Sequence, residues 1–588
     1  MFRAGVRWTA AVSAAALSLA VVVPASARSG HGAEVGRDSY LAPSGNGGYD
    51  VASYDVSLTY RTKTHGIATA TVDITASASQ ELHQFSLDAR KGLKIDSVRV
   101  DDRRARFVHR GDKLTVRRFG VIAAGRSFTV TVTYSGDPRP VQDQSGRGTF
   151  GWLRTNAGAV TYTEPTGTSS WVPSNDVFYD KATWHMRLTA PSGLMGVSTG
   201  RFLGVKKRKG DTVTRWDLGT AIQPYAQVVA FDRFSYSTKR IAGLPAFTAV
   251  ARNSGVTVRK MQQRTAYALN WLVPRLGPYP FESTGAIVVD GADSAMETAG
   301  RPTYSSGSWN TSQATVLHEQ AHQWFGNTLT AASARDIWLH EGFATYLENV
   351  ETAQRTGRQL GDIVHEQYVW DGWGKRWRGQ FGRVSLREPT MRYLLNTTPY
   401  YRGQAALHAL RTELGDDLFW RVLRGLGQQP SGRNYTTQQV IDLAEQLSGR
   451  DLGRWVSGWL DSKAMQKLPQ APTHQAVVRQ VGPYILDAAS DFVWNPRKKV
   501  LPVMRSAERG WLPLNQLRVT DVTTKKRGKT KRYFVDFETT PGLVYPGAYR
   551  TCFVFDRNDD DVLSGSYLGI SFSDNFRRNT FTLRACPR

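Results

Sequence analysis

The stretch that decides the reading is TVLHEQAHQWFGNTL, residues 315–329. His318 and His322 stand four apart, and Glu319 directly follows the first. Residues 311–326 contain neither Gly nor Pro before Gly326, which makes a helix the expected conformation. On a helix, residues four apart share a face. Each histidine then presents one nitrogen to a common centre. Glu319, about 100° further round, flanks that centre without ligating. This is the H-E-x-x-H pattern. Zinc suits imidazole ligands, and a zinc site that catalyses needs a third protein ligand plus an open position for water. With 11 histidines in 588 residues the spacing also arises by chance, so the third ligand decides.

After His322, eighteen residues pass before Glu341, within DIWLHEGFATYLENVE (residues 336–351). This segment is again helical in pattern, with Trp338, Leu339 and Phe343 for packing. A second helix crossing the first would bring Glu341 to the metal. Glu348 lies two turns further along the same face, placed to accept a histidine N–H, and Asn327 at the end of the first helix is a candidate for similar work. A zinc held by two His and one Glu polarises a carbonyl and brings the pKa of its water toward neutrality. Glu319 is the expected general base, moving the water proton to a leaving amine. The chemistry is amide hydrolysis.

At 588 residues the chain exceeds one core, and three or four domains are expected. Residues 1–27 read as a secretory signal: Arg3 and Arg7, the run AAVSAAALSLAVVV, then small residues at Ala25, Ser26 and Ala27. They predict a secreted, extracellular protein. Residues 28–47 are Gly/Ser-rich and read as flexible. From 48 to 237 apolar and polar residues alternate, the mark of a β domain. Helical spacing begins in TVRKMQQRTAYALNWLVPRLG (residues 257–277), and TGAIVVDG (284–291) is a buried strand. Residues 238–395 read as a mixed catalytic domain and 396–470 as a helical one. KLPQAP (467–472) is linker-like, and β patterning returns over 475–588, where a β-sandwich-like domain is expected. The fold class is multidomain α+β.

The two cysteines, Cys552 and Cys586, are expected to form a disulfide in an exported chain. The net charge of +25 predicts weak, salt-sensitive association with anionic cell-envelope polymers. Its densest runs, residues 204–211 and 523–533, read as hairpin tips, and no nucleic-acid motif accompanies them. FDRNDDDVLSG places Asp556, Asn558 and Asp560 at the spacing of a calcium loop. Asp561 stands where such a loop needs glycine and no glutamate closes it, so an acidic turn is the simpler reading and calcium the alternative.

HEQAHQWFGN, the eighteen-residue gap and WLHEGFATYLE together resemble the M1 family of zinc aminopeptidases (gluzincins). The resemblance runs from about residue 48 to 470. YDVASYDVSLTY, EPTGTSSWVPSNDVFYDKATW (164–184) and GPYPFESTGAIVV are similar to further family segments. It implies an N-terminal β saddle, a thermolysin-like zinc catalytic domain and a helical domain, acting on peptides with a free N-terminus. The family's G-x-M-E-N motif corresponds to SAMET, residues 294–298. This implies that Glu297 binds the substrate amine and that Ala295 and Met296 lie along the substrate. The family's Y-x-K-G corresponds to YYRG. This implies that the Tyr400 hydroxyl serves the oxyanion, with Tyr401 the rival assignment and Arg402 in place of the lysine. Tyr162 stands where the family has a Gln or Glu that makes a second amine contact, and Glu164 is the nearest carboxylate. Ser294, Thr298, Thr168 and Ser169 depart from the pattern too. These departures bear on amine recognition rather than on zinc chemistry. Two alternatives therefore stand beside an aminopeptidase: a zinc endopeptidase with relaxed N-terminal selection, and a non-hydrolytic surface-binding protein that keeps the scaffold.

Overall fold

The computed structural model describes residues 30–142, 148–369 and 384–469, together with six strands between residues 517 and 585. The signal-like segment 1–27 lies outside the described residues.

The alternating pattern of the first region folds into an eight-stranded sheet. From edge to edge its strands are Arg201–Arg208, Asp211–Ile222, Ala182–Ala190, Tyr49–Arg61, Gly66–Ala78, Ser127–Gly136, Leu93–Val100 and Arg103–Arg104. Tyr54, Val56, Leu58 and Tyr60 alternate onto its buried face, and Trp184 stacks on Tyr54 with ring centroids 4.1 Å apart. A five-stranded sheet beneath includes Ala159–Tyr162, the strand that ends on Tyr162.

The next sheet is ordered Phe234–Ile241, Leu244–Ala251, Thr284–Val289, Thr303–Ser305, Ala295–Met296. Its middle pairs are parallel, and Ala295–Met296 closes it as an antiparallel edge. The boundary expected at 238 thus falls inside a strand. Phe234–Ile241 already pairs with Leu244–Ala251, and a period of two does not say which sheet a strand joins.

Among the described residues the longer helices are α1 (Val258–Leu276), α2 (Gln313–Ala321), α3 (Trp338–Thr356), α4 (Leu360–Val369), α5 (Gly403–Leu414), α6 (Asp416–Gly427) and α7 (Thr437–Ser448), of which α1 and α2 lie against this sheet. Their starts are written in the sequence. Thr257 caps α1, Ser312 caps α2, and Thr436 with Gln439 forms a capping box on α7. Their shared core includes Trp324, Phe325, Trp338, Phe343, Leu407 and Trp455.

Three expectations are corrected. Residues 30–47 are not a loose tether. Asp38 accepts from Ser333 Oγ at 2.9 Å and from Ala334 N at 2.7 Å, capping the turn that leads into α3, and Tyr40 donates to the Pro389 carbonyl at 2.8 Å. Composition hides this, because the partners lie some 300 residues away. The calcium loop is also lost: Asp556 and Asn558 belong to the strand Gly547–Asn558, opposite Thr582 and Thr580, and Asp560 is outside the described residues. A paired strand cannot fold round an ion as a loop does. The described C-terminal strands form one six-stranded sheet, so a sandwich's second layer is absent among the described residues. Cys586 lies outside the described residues, and the expected disulfide with it. The basic runs sit at hairpin turns, Arg208 opposite Asp211 and Arg527 opposite Thr530.

Where α3 crosses α5, two glycines touch. A Cβ on Gly342 would fall 2.9 Å from the Gly403 Cα, and one on Gly403 would fall 2.8 Å from the Gly342 Cα. Alanine is worth up to about 1 kcal/mol over glycine inside a helix. Overpacking costs about 1–3 kcal/mol, so the contact should win. Gly342→Ala and Gly403→Ala are each expected to lower the thermal unfolding midpoint; a rise would show that the helices part freely.

Candidate metal centre and active site

The regular part of α2 ends at Ala321, short of the predicted 326. His322 nevertheless keeps its helical bond, its N–H donating to the His318 carbonyl at 3.2 Å. The chain then turns through Gly326 at φ 136°, where a Cβ would crowd His322 Nδ1 at 3.2 Å. That tight turn aims the Phe325 carbonyl at His322.

Each imidazole has one nitrogen committed. His318 Nδ1 donates to Glu348 Oε2 at 3.1 Å, and His322 Nδ1 donates to the Phe325 carbonyl at 3.0 Å. With Nδ1 so engaged, the neutral form of each imidazole turns an Nε2 lone pair inward. Those two Nε2 atoms face each other at 3.1 Å, and Glu341 Oε2 from α3 lies 3.4 Å from both. No hydrogen-bond donor serves that oxygen, though Glu341 is only 2% exposed. Burial alone would raise the Glu341 carboxyl, but His322 and His318 hold it well below the usual carboxylate range. Burial would likewise lower both imidazoles, yet Glu341 beside them, with Glu348 at His318, reverses the direction. Two imidazoles and one ionised carboxylate turned on one point form a ligand set that fits zinc, which would take the place of the protons that Glu341 otherwise draws onto the imidazoles.

Glu319 stands beside this point, 6% exposed, and burial pushes its carboxyl up to about 8 against the pull of His318 and His322. Tyr400 comes from the helical turn Thr398–Arg402 and lays its ring parallel to His318, at 6.2 Å and 10°. Arg402 holds that turn in place by donating to the Val384 carbonyl at 3.1 Å and to the Ser462 carbonyl.

Glu297 follows the edge strand Ala295–Met296 and is 3% exposed, with burial the main force raising its carboxyl. Its Oε1 has no protein hydrogen-bond partner among the described residues. The expected role of Asn327 changes. Phe325 already serves His322, and Asn327 Nδ2 donates instead to the Glu297 carbonyl at 2.7 Å. Thr298 spends its hydroxyl on the Arg301 carbonyl at 2.6 Å. The Tyr162 hydroxyl donates to the Ser294 carbonyl at 3.1 Å.

Three residues to which the sequence assigned no role support the site. Tyr225 lies beside both Glu297 and Glu164; burial and then these two carboxylates drive its hydroxyl pKa far up. Gln323 donates to the Glu297 and Glu319 carbonyls at 3.3 and 3.0 Å. Lys181, buried and without a carboxylate partner among the described residues, donates to the carbonyls of Asn327, Thr328 and Arg433 at 3.3, 3.2 and 3.0 Å. Burial brings its ammonium down to about 7. Lys181 lies within DKATW and Gln323 within HEQAHQWFGN.

Residues 277–459 match the peptidase family M1 domain. Aminopeptidase N of Streptomyces lividans is 26% identical over 210 residues, 32% of this chain and 24% of that one. Aminopeptidase M1 of Arabidopsis thaliana is 24% identical over 336 residues, 52% of this chain and 37% of that one. The chain thus spans about a quarter of the length of the first curated relatives it matches. Among solved structures, a mutant M1 zinc metallopeptidase from Deinococcus radiodurans bound to a Tyr-Ser-Ala substrate superposes with a TM-score of 0.66 at 27% identity. That match covers 74% of this chain and 99% of the other.

Glu348 orients His318 through a charged hydrogen bond. Glu348→Gln is expected to weaken zinc binding about 10–100-fold, read by competition with a chromogenic chelator. Unchanged affinity would show that His318 holds its orientation without this carboxylate.

Proposed function

The chain belongs to peptidase family M1, and from that premise we propose that it is a zinc metallopeptidase that removes residues from the N-termini of peptides. The observation that carries the reading is the convergence of His318 Nε2, His322 Nε2 and Glu341 Oε2, each with its other atoms committed or its protons gone. Zinc held there supplies a Lewis acid that polarises the scissile carbonyl and acidifies water.

The chain's own residues do the rest. Glu319, ionised when a cation stands at the histidine pair, takes the proton of the attacking water and delivers it to the departing amine. The Tyr400 hydroxyl donates to the oxygen that gains charge as the carbonyl carbon becomes tetrahedral. Glu297, with Glu164 close by, accepts the substrate's terminal ammonium. The edge strand Ala295–Met296 offers backbone groups for pairing with an extended peptide. Residues 1–27 support export of the protein to the cell exterior.

Relaxed N-terminal selection is the second reading, and Tyr162 favours it. Its hydroxyl is spent on the Ser294 carbonyl, and an aromatic ring brings no carboxylate to the amine.

Matched peptides with free and N-acetylated termini separate the two readings. Cleavage of the free peptides alone, abolished by a chelator and restored by zinc, is the expected result. Equal cleavage of the blocked peptides would leave a peptidase but remove the aminopeptidase. Glu319→Ala is expected to lower kcat by about 10²–10⁴-fold while zinc remains bound; turnover that survives would sink the assigned base.

A further inference from the structure

The N-terminal β domain carries its positive charge unevenly. Between Arg90 and Arg126 stand twelve Lys or Arg against four Asp. Three of those acids are engaged: Asp112 pairs with Arg90 at 3.3 Å, Asp96 with Lys94 at 3.6 Å, and Asp101 with Arg126 at 2.7 Å. Lys113 is matched by Asp88 at 2.6 Å. Arg103, Arg104, Arg106, Arg110 and Arg117 remain exposed, with no ion pair among the described residues.

Strand register sharpens the anomaly. In the sheet edge, Arg99 lies directly opposite Arg104; in the neighbouring hairpin, Arg106 lies directly opposite Arg117. Opposed side chains have Cβ atoms about 4.5–5.5 Å apart, and like charges so placed destabilise the pairing. The hairpin at residues 201–222 is built the other way, with Arg208 opposite Asp211 and Arg201 bonded to Asp217 at 3.1 Å. Arg187 also faces Arg215, but Asp217 lies two residues along that strand. The Arg99–Arg104 pair has Asp102 in the turn between its members, and the Asp102 carbonyl accepts from Arg99, whereas no carboxylate lies within two residues of Arg106 or Arg117 in sequence. The two pairs, with Ala105 between Arg104 and Arg106, make a surface whose electrostatic repulsion an anion would relieve.

We propose that this arginine surface docks a phosphodiester-bearing anionic polymer of the cell envelope, with phosphates seated between Arg99 and Arg104 and between Arg106 and Arg117. It localises the general attraction expected from the net charge and rests on the reading that the chain is exported, not on its peptidase activity. Guanidinium forks match phosphate oxygens in pairs, which single ammonium groups do not. Among the described residues the patch exposes Val108, while the Phe107 ring beside it is half-buried against the core, which disfavours the base stacking of single-stranded nucleic acid. None of these arginines contributes to the metal centre, so docking leaves the cleft open and holds the enzyme at a surface.

The test uses the full-length protein on immobilised poly(glycerol phosphate), with DNA as a parallel ligand. Binding to the polymer that weakens as ionic strength rises is expected. The double variant Arg104→Glu, Arg117→Glu should weaken it about tenfold or more. Peptide turnover should stay unchanged, and the unfolding midpoint should hold or rise, because each repelling pair becomes an attracting one. The control Lys207→Glu, Arg208→Glu makes the same charge change at the hairpin tip and should alter binding by less than about twofold. An equal loss in the control would reduce the effect to net charge and overturn the site. Absence of polymer binding, or DNA binding as tight through the same arginines, would overturn the proposed occupant.

Discussion

Three electron-rich atoms buried at one point form the constraint on which this structure turns. The Nε2 atoms of His318 and His322 and Glu341 Oε2 lie within 3.4 Å of one another, and in the deprotonated form that binds metal no donor hydrogen lies among them. Left to themselves such atoms repel, and the low dielectric around them strengthens the repulsion. A divalent cation turns the same geometry into attraction. The surrounding bonds resist the alternative, in which the side chains would rotate apart or take up protons. Glu348 and the Phe325 carbonyl occupy the two Nδ1 positions, and the Gly342–Gly403 contact fixes how closely α3 and the Tyr400 turn approach.

The support reaches across the chain. Lys181, next to the eight-stranded sheet's strand Ala182–Ala190, threads its ammonium into the turn after α2 and onto the Arg433 carbonyl. Asn327 in that turn holds the Glu297 carbonyl, and Gln223 holds Asn327 Oδ1 at 2.8 Å. Asp38 caps the turn before α3. The N-terminal β region is thus bonded to the pieces that set the metal ligands and Glu297 relative to each other.

The helical period and the spacing of charged residues made the metal centre legible. His318 and His322 share a face by helix geometry, and Glu348 follows Glu341 by two turns, so local pattern and three-dimensional position coincide. Tyr400 and Glu297 were legible only through family resemblance, because a tyrosine before a helix and a glutamate in a loop have no local signature. Tyr225 and the Asp38 cap left none at all, because each acts on partners distant in sequence, and Gln323, though inside the histidine motif, carried no sign of its bond to the Glu297 carbonyl. The acidic spacing at Asp556 misled because it fixes ligand identity but not backbone conformation, and strand pairing took the backbone. The arginine surface escaped for a related reason. Runs such as KKRK are visible in sequence, whereas Arg106 and Arg117 become neighbours only through register.

In the proposed aminopeptidase reading, amine selection rests on a different balance from the one that sets the metal. Glu297 is buried, and burial raises its carboxyl, so its charge is favoured when a cation stands against it. A peptide's terminal ammonium provides one; a blocked terminus does not, and would leave a costly carboxylate or force a proton onto it. Tyr225 beside Glu297 has its own hydroxyl driven far from ionisation, so it can donate to the carboxylate but cannot replace the cation. The loss of a second acidic or amide contact at Tyr162 therefore removes one amine ligand without removing the electrostatic demand for an amine. That demand rests on Glu297 and on Glu164 near it. The Tyr162 bond to the Ser294 carbonyl then acts on shape rather than charge, fixing the strand end beside which the terminal residue must lie.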